Sequence, residues 1–426
     1  MGIARAEPGT GFLYGWLLVA LFIEYARPTN QLTWLEFPFF YSLVPMTLLL
    51  ATMIAPGLRP MREIFADPIA KWVPIFFSVI AVSWVVSGFT PAGTTVFQTV
   101  LGYVFLFILI ARIVTTERRL MGVFVTLVIA HLYLLAVNFQ VLMNPSLRQY
   151  LMGGTFLGDG NDFALSLCLL FPCMIGVALG ARSLIGKLLA WGAAAVMPMA
   201  IVATQSRGGT LGMAVVLFYL WFRSPRKLVS LIAIAMVGVL VLIYAPPEYF
   251  QRMGTVSNVQ DDSSARGRLD AWSGSIGMGL KNPLGIGAGG FSARWGRTAH
   301  STYFLALGEL GLAGLFCVLM LVFGNIKVNA TLRRQALARA GPIQDEHSRQ
   351  STRMLDMINA GMVGFAVAGA FLSSAYYPHM YVLTALLISA RILLARNAGL
   401  QPPHSLTNTR ILPNAGPPRR IQRNQK

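Results

Sequence analysis

Twelve apolar stretches, most of about twenty residues, succeed one another along the chain with short polar breaks between them. They fall near 11–25, 38–56, 72–88, 97–112, 120–142, 162–180, 184–204, 208–223, 228–245, 302–326, 355–376 and 379–396. Helices of that length cross a hydrocarbon layer of about 30 Å, and there the backbone must satisfy its own hydrogen bonds. The pattern predicts an all-α, polytopic integral membrane protein. The first run, GFLYGWLLVALFIEYA, is followed by no small-residue cleavage site, so it reads as a retained helix rather than a signal peptide. One polar segment is long, roughly 246–301, and is expected to carry short helices. Residues 1–400 read as one transmembrane domain with a core at about 153–326. Residues 401–426 are Pro-rich and polar and read as a disordered tail.

Composition agrees with this reading. Of 426 residues 55% are hydrophobic and 12% charged, against about 25% charged in a soluble domain. The net charge of +18 would suit nucleic acid if it were not sorted by membrane side. With a cytoplasmic N-terminus, 25 of the 34 Lys and Arg residues fall inside and nine outside, the bias that orients membrane proteins. Both termini are then cytoplasmic, and no nucleic-acid partner is expected. Cys168, Cys173 and Cys317 lie inside apolar runs without metal or redox spacing. There is no Asp-x-Asp pair, His-Glu-x-x-His or P-loop, so neither a metal nor a cofactor is expected.

Six of the nine outer charges, Arg252, Arg266, Arg268, Lys281, Arg294 and Arg297, crowd the long loop. Long loops cross regardless of charge, yet a basic cluster on that side invites an anionic partner. In ATQSRGGTLGMAVVL, Arg207 stands at the outer membrane edge. An arginine near bilayer depth costs on the order of 3 kcal/mol and usually faces a cavity or partner, snorkelling being the alternative. Gly208 and Gly209 are expected to let the backbone turn tightly and a ligand approach.

QDDSSARGRLDAWSGSIGMGLKNPLGIGAGGF reads as an amphipathic helix, roughly 264–280, and a Gly-rich turn. Arg266 and Arg268 do not share a helical face. Trp272 shares that of Arg268 and is expected at headgroup level. GIGAGG fits G-x-G-x-x-G, but no strand precedes it, so a dinucleotide site is rejected in favour of a loop turning back to the membrane.

In RTAHSTYFLALGELGLAGLF, His300 opens the tenth helix. The positive helix end disfavours imidazolium, and a neutral imidazole suits a general base. An ordinary helix-start residue is the plain alternative. Tyr303 follows one turn on. Glu309 lies two to three turns deeper and needs a partner, most simply a structural hydrogen bond. His379, in a short outer turn, is the second choice. His131 is isolated in the fifth helix, His347 is cytoplasmic and His404 is in the tail.

Taken in order over about 200–316, SRGG at a helix start, R-x-x-x-W, N-P-L-G-x-G-x-G-x-F, A-H-S-x-Y and E-L-G-x-x-G resemble the O-antigen ligase and polymerase family. GGTFLGDGNDFALSL (153–167) is similar to that family's outer segment before a central helix. DDSSARGRLDAW and AHSTYF resemble the branch of O-glycosylation ligases that accompany exosortase systems. The N-terminal third agrees in hydropathy only.

The resemblance implies a multi-pass enzyme of the bacterial inner membrane, among membrane lipids, with a periplasmic active site and no cofactor. Its donor would be an undecaprenyl-pyrophosphate-linked glycan, and its acceptor a hydroxyl on a glycan, lipid or protein. The resemblance would place phosphate-binding arginines at Arg207 and Arg268, with Arg266 competing, and the base at His300. Tyr303 and Glu309 would support it. A polymerase extending carrier-linked chains is the alternative. A transporter or flippase for lipid-linked sugars would need charges or broken helices near midplane in corresponding halves, and no internal repeat is seen. A non-catalytic assembly partner is the third reading.

Overall fold

The computed structural model describes residues 10–30, 32, 40–146, 157–254, 263–340 and 346–400, and among these the chain is helical with no strand. The tail 401–426, with His404, lies outside the described residues, as does the side chain of His347. The helices are α1 Thr10–Ala26, α2 Phe40–Ile54, the short α3 Met61–Phe65, α4 Trp72–Val86, α5 Pro91–Ile113 and α6 Glu117–Val137. After the short α7 Phe139–Met143 come α8 Gly160–Gly180, α9 Leu184–Ala203, α10 Arg207–Arg223 and α11 Lys227–Tyr244. The long loop carries α12 Pro247–Gly254, α13 Ser263–Lys281 and α14 Phe291–Trp295. Then α15 Thr302–Leu319 runs through a π turn into α16 Asn325–Ala340, followed by α17 Glu346–Ala368 and α18 Pro378–Asn397.

Eight helices among the described residues are long and apolar enough to cross a membrane. Shorter apolar helices cover Thr10–Ala26, Val44–Met53 and Trp72–Val86, and α10 lies over the expected run 208–223. The protein is a multi-pass, all-α membrane protein. The stretch Lys327–Arg353, between the apolar runs 302–326 and 355–376, is helical in α16 and the start of α17.

Short polar residues start the helices. Thr90, Thr116, Asp159, Ser183, Ser206 and Ser301 each accept a first-turn amide with their side-chain oxygen, a cap that contributes about 1 kcal/mol. The core is built on α8, which packs on α6, α9, α10 and α17, and on α18, which is buried from Pro378 to Ala395. In contrast α11 has no buried residue and leans on α9 and α10. At the end of the bundle where α18 finishes, the fully buried Arg391 pairs with Asp67 at 2.7 Å and donates to Asn325 and Asn329. Breaking such a buried pair costs more than the pair itself contributes, about 3–5 kcal/mol.

Two expectations change here. Gly208 and Gly209 are helical and do not form a ligand-accepting turn. A Cβ on Gly209 would stand 2.5 Å from that of Ala164, and one on Gly208 3.1 Å from that of Phe371. The glycines let α10 close onto α8 and the end of α17, the small-residue contact typical of membrane helices. His379 is not in an open turn. It is buried in α18, 3.3 Å from the Tyr25 hydroxyl.

Candidate functional site

The site is organised by a break in α15. Gly311 has φ 67° and ψ −161°, a conformation essentially restricted to glycine. The break frees the carbonyls of Gly308 and Glu309. The Gly-rich turn expected to return toward the membrane does so, and its amides take them: Ile286 N–H donates to Gly308 and Gly287 N–H to Glu309, each at 3.1 Å. Gly285, at φ 80°, passes so close that a Cβ would lie 2.0 Å from the Glu309 carbonyl oxygen. A side chain fits at neither position.

Glu309 finds its partners in the same loop. Its carboxylate accepts from Gly289 N–H at 2.8 Å, Phe291 N–H at 2.9 Å and the Tyr376 hydroxyl at 2.7 Å. This clasp ties α15, the loop and the 372–377 segment together. The broken helix is thus occupied by the protein's own amides, whereas a transporter would need such breaks in pairs around a substrate.

His300 sits where two constraints meet. Ser301 caps α15 through Phe304 N–H, so His300 precedes the cap and adopts φ 47°, in the left-handed region. That conformation costs a non-glycine residue on the order of 1–3 kcal/mol and is held only by its surroundings. The holders are visible. Trp272 donates from Nε1 to the Ala299 carbonyl at 3.0 Å and stacks on Phe304. Thr298 donates to Ser373 at 2.6 Å, and Thr302 to the Leu372 carbonyl at 2.7 Å. Trp272 thus braces the His300 turn.

His300 lines a cavity of about 330 Å³ with Glu309, Asp159, Asn161, Asp162 and Tyr377 among its walls. The volume is at the small end of ligand pockets, roughly 300–1,000 Å³. The Tyr377 hydroxyl donates to Asp162 Oδ2 at 2.8 Å. Burial, and then the Asp162 carboxylate, push the Tyr377 phenol above the usual tyrosine range, so it stays a donor. Asp159 caps α8 by accepting Asn161 N–H at 2.7 Å. Sequence reasoning passed over Asp159, Asp162, Tyr376 and Tyr377. The GDGND run and the YYPH run, each abutting an apolar helix, were the available signal.

The remaining sequence-derived residues are not among the cavity's walls. Arg207, half-buried at the start of α10, donates from Nε to the Arg252 carbonyl at 3.0 Å. The turn before it is also strained, with Gln205 at φ 51°. Arg268 is half-buried on the Trp272 face of α13, while Arg266 is exposed. The two arginine-bearing helices converge on Phe371: Gly208 abuts it, and Trp272 lies 6.3 Å from its ring. The next residues, Leu372 and Ser373, line the cavity. Tyr303 turns away and donates to the Ala366 carbonyl on α17 at 2.8 Å.

No curated protein matches this chain. The family model described as O-antigen ligase matches residues 192–319, a segment containing Arg207, Arg268, His300 and Glu309 but neither Asp162 nor Tyr377. The resemblance read from the motifs therefore holds over that segment, which is similar to the O-antigen ligase family.

Proposed function

We propose that the protein is a membrane glycosyltransferase of the ligase type, which moves a glycan from an undecaprenyl-pyrophosphate carrier to an acceptor hydroxyl at the periplasmic face of the bacterial inner membrane. Both termini then lie in the cytoplasm, in keeping with the positive charge there. The observation that carries the reading is a strained, multiply braced His300 lining a cavity, inside the matched segment.

In this mechanism the carrier's pyrophosphate docks against Arg207 and Arg268, whose planar, multi-donor heads suit phosphate oxygens. His300 takes the proton of the acceptor hydroxyl as its oxygen attacks the anomeric carbon. The new C–O bond forms as the bond to the phosphate oxygen breaks, and undecaprenyl pyrophosphate leaves with that electron pair. The arginines stabilise the charge developing on it, as preorganised donors do elsewhere. Glu309 supports the site from α15 by holding the Gly-rich loop.

The test is glycan transfer by the purified chain in liposomes containing the lipid-linked donor. His300→Ala is expected to lower turnover by about 10²–10⁴-fold, the usual contribution of a general base. Near wild-type turnover would sink the assignment. Product length separates transfer of one glycan from chain extension. Turnover by the isolated protein excludes both the transporter and the assembly-partner readings.

A further inference from the structure

The cavity and the two arginines divide the site by charge. Asp159, Asp162 and Glu309 line the cavity, and His300 is the single basic side chain among its walls in the described residues. Arg207 and Arg268 stay outside, on helices converging at Phe371. A pyrophosphate inside the cavity would meet three carboxyl groups and a single basic side chain, whereas the two arginines are carried by the helices outside it.

The three carboxylates are not equivalent. Both Glu309 oxygens are taken by loop amides and Tyr376, and Asp159 is engaged with Asn161. Asp162 is 8% exposed and lines the cavity, and Tyr377 donates to its Oδ2. Its Oδ1 accepts no hydrogen bond among the described residues. An acceptor oxygen open to a cavity can take a donor from a ligand.

We infer that this cavity is the acceptor subsite, and that Asp162 takes the hydrogen bond of a hydroxyl on a neutral carbohydrate. The inference rests on the glycosyltransferase reading and names the substrate that His300 would deprotonate. Asn161, Ser292, Thr298 and Ser373 also line the cavity. That density of donors and acceptors matches a polyol with a hydroxyl on each ring carbon. A serine or threonine side chain brings a single hydroxyl to this set. Tyr377 fixes the carboxylate so that one oxygen is held and the other is offered.

The test is steady-state transfer by the full chain in liposomes, with an undecaprenyl-pyrophosphate-linked glycan as donor. Two labelled acceptors are compared, a neutral oligosaccharide and a serine- and threonine-containing peptide. Asp162→Asn is expected to raise the KM for the oligosaccharide by about ten-fold, the loss of one hydrogen bond. The donor KM should stay within about two-fold, because the phosphate is held at the rim. Tyr377→Phe, which keeps the ring and removes the hydroxyl, should raise the oligosaccharide KM several-fold, and it decides the matter if Asp162→Asn fails to fold. Donor and acceptor KM rising together, or neither moving, overturns the subsite while leaving the transferase reading intact. So does transfer to the peptide and not to the oligosaccharide. A wild-type chain that transfers to neither acceptor overturns both.

Discussion

The Glu309 carboxylate lies 2.8 Å from the Gly289 amide across a break in its own helix. The two residues are twenty positions apart in sequence, and the contact closes the Gly-rich loop onto α15. Three donors converge on the carboxylate: two loop amides and the Tyr376 hydroxyl. An acidic side chain in an apolar helix is costly unless it is answered in this way. Here it fixes one wall of the cavity that His300 also lines.

Glu309→Gln keeps the volume and loses the match. A carboxamide has one acceptor oxygen and would aim its NH₂ group at one of the two amides. A buried donor left without an acceptor costs about 1–3 kcal/mol. Thermal unfolding in detergent should show a lowered midpoint, and transfer should fall with it. An unchanged midpoint would mean that the clasp contributes nothing to the fold.

Gly311 tolerates no side chain. A Cβ there would stand 2.0 Å from the Pro283 carbonyl oxygen, in addition to a backbone strain of roughly 1–3 kcal/mol. Gly311→Ala is expected to leave little folded protein on size-exclusion chromatography. Gly192→Ala is the control. Nothing lies within 4 Å of a Cβ at Gly192 in the middle of α9, so the change should be neutral or stabilising by roughly 0.5–1 kcal/mol.

These positions show what the sequence could reveal. Every apolar run became a helix because length and hydropathy alone dictate that in a bilayer. The Gly-rich turn and the need of Glu309 for a partner were legible, because both are local statements about one residue type in one setting. That Glu309 would meet Gly289 and Phe291 was not, because their approach depends on the left-handed break at Gly311. Asp162 and Tyr377 are 215 positions apart, and only the packing of α8 beside the α17–α18 turn unites them. Gly208 and Gly209 misled for a related reason. The same lack of a side chain serves a turn, a ligand or a neighbouring helix, and only the contact with Ala164 and Phe371 tells which.

Arg207→Lys probes the phosphate assignment. Lysine retains the charge but loses the planar fork and the Nε donor that Arg207 directs to the Arg252 carbonyl. If the head binds pyrophosphate through paired donors, turnover should fall by about 10²–10³-fold, the cost of losing a preorganised donor. The donor KM should rise, and the acceptor KM should hold. Donor titration in liposomes measures both, and an unchanged rate and donor KM would assign the charge alone to the role.

Trp272 offers the sharpest separation of position from chemistry. Its indole stacks 5.0 Å from Phe304 and its Nε1 holds the Ala299 carbonyl, one residue before His300. Trp272→Phe preserves an aromatic ring for the stack and deletes the hydrogen bond, worth about 0.5–1.5 kcal/mol. The midpoint of unfolding should move little, since Thr298 and Thr302 still tie the turn to Ser373 and Leu372. Turnover is expected to fall by about ten-fold at unchanged donor KM, because a left-handed His300 relaxes once one of its braces is gone. Trp272→Ala removes stack and bond together and should lose stability as well. Equal turnover in the wild type and Trp272→Phe would show that the threonine ties alone set the His300 geometry.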